Sequence, residues 1–346
     1  MRYYGNKTKL LEFISDTANE LTLSDDKIFF DIFTGTTSVA KHFKQQGYTV
    51  LANDFLHFCY VLAEAYIKIN NVPSFTKLNG NLKHHNPIDA IEQLNNLKPT
   101  TGFITKNYSP YGQNKRQYFT IDNASKIDAI RIQIHEWQNK KLITEAEACY
   151  LITSLLFAIN LVSNVSGTYG SYLKEWDKRA FKKLTLVAPE IIPSSRANKA
   201  FNLRAEDVVG QYEVDILYLD PPYNSRQYAS NYFLLELIAE GWFDKEPEIY
   251  GHTGMRPYDN QKSSFSTKRD AADALNKVVE KAKAKYILLS YNNEGIIPHD
   301  EIVKILSNRG RVEIKTFDHK RYRSIGQDGS QNRTTEYLFV LHMGEK

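Results

Sequence analysis

Short apolar runs rich in β-branched and aromatic residues recur at Ile28–Phe33, Thr49–Asn53, Ala200–Arg204, Val214–Leu219, Tyr286–Tyr291, Val312–Phe317 and Thr335–His342. Runs of this length and composition predict strands. Helical patterns lie between several of them, at about 37–46, 56–70, 230–240 and 270–284. Parallel strands need a helix-length crossover, so the alternation predicts an α/β fold: a seven-stranded, mostly parallel sheet covered on both faces. The last two strands are separated by a polar stretch, 324–333, rich in Gly, Gln and Asn. That spacing suits an antiparallel hairpin at the end of the sheet.

The alternation stops between 75 and 195, which divides the chain into a core of 1–74 and 196–346 and an inserted, mainly helical domain of 75–195. Within the insertion, Thr144 with Glu147 three residues on forms a capping box that opens the apolar segment Ala146–Val162.

Composition adds mainly exclusions. The 346 residues are 42% hydrophobic and 24% charged, ordinary for a globular protein. No run reaches the ~18 uninterrupted apolar residues of a membrane span, and the opening residues lack the apolar segment of a signal peptide. A cytoplasmic protein with no membrane role is expected. Cys59 and Cys149 stand far apart, and His84-His85 has no companion ligands at metal spacing, so neither a disulfide framework nor a bound metal is predicted. The net charge is only +4, but eight Lys and Arg against three acids lie between Lys174 and Arg204, and Lys315, Lys320, Arg321 and Arg323 form a second cluster. Such runs are ordinarily solvated faces, and they gain meaning only if something else points to a polyanion.

The sharpest chemical signal is Asp220-Pro221-Pro222-Tyr223-Asn224, directly after the strand Val214–Leu219. Ligands of open α/β sheets sit beyond the carboxyl ends of strands, and two prolines make a stiff turn without backbone donors. Such a turn suits an amine that is a poor nucleophile because its lone pair is delocalised into a purine ring. Acceptors on Asp220 and the Pro221 carbonyl can take its two N–H groups and favour a pyramidal nitrogen, while Tyr223 can stack on an extruded base. A second signal, Phe30-Asp31-Ile32-Phe33-Thr34-Gly35-Thr36-Thr37-Ser38, is a small-residue turn between a strand and a helix, where backbone can approach a nucleotide-like ligand. Asn53-Asp54 ends the next strand about twenty residues later, the place for an acid that binds ribose hydroxyls. That pairing fits an adenosine ligand, and the missing G-x-G-x-x-G argues against an ordinary dinucleotide.

With these residues the chain resembles the DNA adenine-N6 methyltransferases of the Dam-like class, in particular those of type IIS restriction-modification systems of the FokI type. Arg2-Tyr3-Tyr4-Gly5-Asn6-Lys7 looks like the class's N-terminal cofactor motif, Phe33-Thr34-Gly35-Thr36 like its cofactor loop, and Asp220 to Tyr223 is its catalytic tetrapeptide. The likeness to the FokI type rests on Asn107 to Tyr111, Asn123-Ala124-Ser125, Ser166 to Gly170, Arg226-Gln227-Tyr228 and Ser230-Asn231-Tyr232, and covers nearly the whole chain. Thr37 departs from the pattern, which commonly has a second glycine there.

The resemblance implies a Rossmann-like fold, S-adenosylmethionine as cofactor, and 75–195 as the target-recognition insertion. It implies cofactor contacts from Tyr3, Tyr4, Lys7, Asp31, Phe33 and Gly35, from Asp54 on the ribose, and from Glu206 or Asp207 on the adenine. It makes Lys174, Arg179, Arg321 and Arg323 candidate contacts to double-stranded DNA, with Arg226 and Tyr228 ordering the loop over a flipped base. A bacterial modification enzyme acting on one strand of an asymmetric, GGATG-like site is expected, beside a cognate restriction endonuclease and a separately encoded methyltransferase for the other strand. N4-cytosine methylation poses the same amine chemistry and is the alternative within the class. A non-catalytic DNA-binding subunit is the alternative outside it. Neither cysteine sits in the Pro-Cys turn that a covalent cytosine-C5 route needs.

Overall fold

The computed structural model describes residues 5, 7–22, 27–78, 86–320 and 333–345. All seven expected strands form, as β1 (Ile28–Asp31), β2 (Thr49–Asn53), β3 (Lys199–Phe201), β4 (Val214–Leu219), β5 (Ala284–Asn292), β6 (Gly310–Lys320) and β7 (Arg333–Met343). They make one sheet in the order β3-β2-β1-β4-β5-β7-β6. β1 runs parallel to β2 and β4, and β4 parallel to β5. β7 is antiparallel to both β5 and β6. The final hairpin therefore exists, with its second strand lying inside its first. The fold is the Rossmann-like α/β arrangement the alternation implies.

Backbone contacts divide the chain into two compact units. The first contains 56–200 and 228–261, so the expected insertion 75–195 lies within a larger unit. Its longest apolar helix, Glu145–Val162, starts at the predicted capping box: the Thr144 hydroxyl accepts the Glu147 amide at 3.2 Å and the Glu147 carboxylate accepts the Thr144 amide at 2.8 Å. This helix is long and apolar enough to cross a membrane, against the expectation that no segment is, yet 78% of its apolar window is buried in the protein. It is a core helix in packing.

The second unit contains 7–55, 201–227 and 262–346. Phe29 and Phe30 on β1 are fully buried and point to opposite faces, as the two-residue strand period requires. Phe29 stacks on Phe43 of the helix Ser38–Gln45 with ring centroids 3.7 Å apart. Phe30 joins the other face with Leu217, Leu275, Val279 and Leu289. Burial on both faces is why these strands read as continuous apolar runs. It also aligns the carboxyl ends of β1 and β4 at one sheet edge.

Candidate active site

β1 ends at Asp31 and β4 at Leu219; past β1 the Ile32 amide still donates to the Tyr218 carbonyl and the Thr34 amide to the Asn53 carbonyl before the chain bends at Gly35, whereas past β4 Pro221 and Pro222 carry no amide donors. Asp220 follows β4. Its Oδ1 is buried and accepts no hydrogen bond among the described residues. The Lys7 ammonium stands 3.3 Å from that oxygen, without hydrogen-bond alignment. Lys7 instead donates to Glu336 Oε2 at 3.1 Å. It also lies over the Tyr223 ring, 5.5 Å from the centroid.

Burial pushes the Asp220 carboxyl up to about 6, with Lys7 opposing and the Glu336 charge adding to the shift. Burial disfavours the Lys7 charge, but Asp220 and Glu336 outweigh it and hold the ammonium above its ordinary range. Tyr223 is fixed at both ends. Its carbonyl accepts the Ile296 amide at 3.1 Å, and its ring meets Tyr291 edge-on at 6.3 Å. The Tyr291 hydroxyl in turn accepts the Ile297 amide. The aromatic of the tetrapeptide is thus held by the loop that follows β5.

The loop after β1 is built on the end of β2. Asp54 Oδ2 accepts the Gly35 amide at 2.9 Å. Asn53 donates from its amide to the carbonyls of Ile32 and Leu203, each at 3.0 Å, and accepts the Leu203 amide at 3.1 Å. One side chain therefore ties together the chain leaving β1 and the chain leaving β3. Gly35 has φ 50° and Thr37 φ 64°. Thr37 thus occupies the left-handed backbone conformation that favours glycine, which gives the departure from the class pattern a physical meaning.

Asp31 is 1% exposed, and burial with the nearby Asp220 charge pushes its carboxyl up to about 8. Its Oδ1 and the buried Thr34 Oγ1 each lack a hydrogen-bond partner among the described residues. The two are neighbours, the Thr34 hydroxyl opposing the rise of the Asp31 carboxyl, and together they offer a buried polar pair to a ligand bearing donors. Phe33 packs edge-on against Phe265 at 5.0 Å. After β3, Glu206 is half-buried and accepts from the Ser264 hydroxyl at 3.0 Å, whereas Asp207 is exposed. Among the described residues no group of metal-ligating side chains forms.

Lys7, expected to contact the cofactor, stands beside the Asp220 carboxylate. Tyr3, Tyr4, Arg321 and Arg323 lie outside the described residues. Glu336 was not anticipated. Its one sequence signal is an acid within the otherwise apolar run Thr335–His342, at a β7 position flanked by Asn292 on β5 and Phe317 on β6.

Beyond the tetrapeptide, the exposed Arg226 caps back onto Asn224, its amide donating to Asn224 Oδ1 at 3.0 Å. In the first unit, Tyr228 is 8% exposed and packs on Tyr232, so its ring is occupied internally. Several of the short motifs meet there. The Tyr169 amide donates to the Asn231 carbonyl at 2.6 Å. Asn123 binds the carbonyls of Ala180 and Lys182 and the amide of Leu184, clamping part of the basic run. Lys174 is exposed. Arg179 pairs with Asp177 at 3.4 Å and donates to the Val165 carbonyl, so that guanidinium is engaged within the protein.

The chain matches the description "D12 class N6 adenine-specific DNA methyltransferase" over residues 3–305. It is 42% identical over 343 residues to the type II methyltransferase M.FokI of Planomicrobium okeanokoites, covering 99% of this chain and 52% of that protein. It is also 42% identical over 345 residues to the modification methylase StsI of Streptococcus sanguinis, again 99% and 52%. The chain spans about half the length of these two relatives. The type II methyltransferase M.NlaIII of Neisseria lactamica is 34% identical over 350 residues, 99% of each chain.

Proposed function

The chain belongs to the family of D12 class N6 adenine-specific DNA methyltransferases, and on that footing we propose that it methylates N6 of an adenine flipped out of double-stranded DNA. The observation that carries the reading is the buried Asp220 Oδ1 at the head of the Pro221-Pro222-Tyr223 turn, beside the Lys7 ammonium but without an aligned hydrogen bond. An ionised carboxylate there accepts one N–H of the amine, and the Pro221 carbonyl accepts the other. The nitrogen lone pair is then turned out of the ring toward the reacting carbon. Tyr223, held against Tyr291, stacks on the base and keeps the amine over these acceptors.

S-adenosylmethionine, when bound, supplies an electrophilic methyl group on a sulfonium. The buried pair Asp31 and Thr34 would meet its polar groups, and Phe33, Gly35, Asp54 and one of Glu206 and Asp207 would complete the cradle. With the cofactor bound, the methyl group would pass directly to the amine nitrogen held by Asp220 and Pro221, the thioether would leave, and the proton shed by the nitrogen would pass to solvent. No covalent bond to the protein is needed, in keeping with the burial of both cysteines.

Relatives named as type II methyltransferases and modification methylases support a role in a restriction-modification system. We assign target recognition to the expected insertion 75–195, a cytoplasmic bacterial setting, and as partners a cognate restriction endonuclease and a second methyltransferase for the other strand of an asymmetric site. Incubation with labelled cofactor and unmethylated plasmid DNA, followed by mass analysis of nucleosides, tests the central claim. N6-methyladenine is expected. N4-methylcytosine alone would move the chemistry to the other amine, and no labelled base would leave a DNA-binding subunit.

A further inference from the structure

Lys7 faces two carboxylates, donating to Glu336 Oε2 at 3.1 Å and standing 3.3 Å from Asp220 Oδ1. We propose that Glu336 is a positioning residue for methyl transfer: by accepting the Lys7 hydrogen bond, it keeps the ammonium beside Asp220 while leaving Asp220 Oδ1 open to the target amine. The inference rests on the methyltransferase reading and deepens it.

The distances define the competition. Lys7 Nζ donates to Glu336 Oε2 at 3.1 Å and stands 3.3 Å from Asp220 Oδ1, which accepts no hydrogen bond among the described residues. A lysine ammonium is a compact charge on a flexible stem, free to direct its donors at either acid. Glu336 does not have that freedom. It is 7% exposed on an eleven-residue strand paired on both sides, so its position is set by the sheet rather than by a loop. Without its carboxylate, Asp220 is the acid that remains for the ammonium, and an oxygen already bonded to Lys7 is a poorer acceptor for an incoming N–H.

The groups that act electrostatically on Asp220 are consistent with this. Lys7 lowers its pKa and Glu336 raises it. Asp31 on β1 feels the Asp220 charge, and burial raises its carboxyl further. Tyr218 on β4 is raised by burial and by Asp220, and donates to Ser290. Tyr223 lies under the ammonium. Glu336 is the acid that accepts the Lys7 hydrogen bond.

The test uses the full chain with S-adenosylmethionine and unmethylated plasmid DNA, comparing single-turnover rates from pH 5 to 9 for wild type, Glu336→Gln, Glu336→Asp, Lys7→Met and Lys7→Met with Glu336→Gln. Glu336→Gln should slow transfer by roughly 10- to 100-fold, up to the scale of losing one preorganised polar group, with cofactor affinity by calorimetry unchanged. Its acid limb should move to lower pH, because the Glu336 repulsion is gone and Lys7 bonds Asp220. Glu336→Asp should recover part of the rate. With Lys7 replaced by Met, Glu336→Gln should cost nothing further, since there is no ammonium left to divert. A slow Glu336→Gln with an unmoved acid limb, or an equal loss in the Lys7→Met background, marks a structural role and overturns the proposal. So does a wild-type rate in Glu336→Gln. If the charge-neutral variant does not fold, Glu336→Asp decides, because unchanged rate and limb with a carboxylate withdrawn by one methylene also overturn it. A carbon-13 titration of the Asp220 carboxyl reads the same coupling without turnover, and its midpoint should fall in Glu336→Gln. A wild-type chain that methylates no DNA while this titration shifts as expected sinks the methyltransferase reading and leaves the ion-pair geometry standing.

Discussion

The Asp54 carboxylate accepts the Gly35 amide at 2.9 Å, so the acid expected to bind a ribose also fixes the loop on which the rest of the cofactor would lie. Asp54→Ala should therefore weaken S-adenosylmethionine binding about 10- to 100-fold, the 1.5–3 kcal/mol scale of a hydrogen bond to a charged group. Asp54→Asn keeps an acceptor for Gly35 and should lose less. Calorimetric dissociation constants for the two variants check this, and equal losses would place the whole effect in the missing charge.

Thr37 has a branched side chain at φ 64° and is fully buried. Strain of this kind costs about 1–3 kcal/mol, whereas glycine adopts the same backbone freely. Thr37→Gly should leave the melting temperature unchanged or raise it, despite the loss of buried atoms. Thermal unfolding of the variant tests the point, and a clear fall in Tm would mean that the side chain's packing outweighs the strain.

Asp220→Ala should lower the single-turnover transfer rate by at least ~100-fold while cofactor binding persists. The pH dependence follows from the carboxyl raised to about 6. Protonation removes the negative charge and weakens the carboxyl as an acceptor, so the rate should rise with pH to a plateau, half-maximal near that value. A limb centred near the ordinary carboxylate value would mean that the bound substrate restores solvation or charge pairing that the free protein lacks.

The basic run separates into free and engaged members. Lys174 is exposed, and Lys174→Ala should weaken cognate and noncognate duplexes by similar factors and make the slope of log affinity against log salt shallower by about one unit. Arg179 is tied to Asp177 and the Val165 carbonyl. Arg179→Ala should lower Tm and leave the salt slope near its wild-type value. Titrations of both variants at several salt concentrations, alongside melting curves, distinguish a phosphate contact from an internal brace.

What was legible in the sequence was local. The strand–helix alternation follows from hydrophobic period, the capping box at Thr144 from two residues three apart, and the stiffness of Pro221-Pro222 from proline itself. Each is a property of a short segment, so tertiary context had little to add. Aromatic type, by contrast, does not say which face a ring meets: Tyr223 stands half-buried at the site, whereas Tyr228 and Tyr232 are packed inside the first unit. Tertiary structure alone brought Lys7 to Glu336, 329 positions away in the chain, by seating β7 between β5 and β6. Hydrophobic pattern states that a strand is buried, but its neighbours are chosen by the packing of the whole sheet. The Asp220 carboxyl is raised by burial and then adjusted by Lys7 and Glu336, residues that no spacing rule connects.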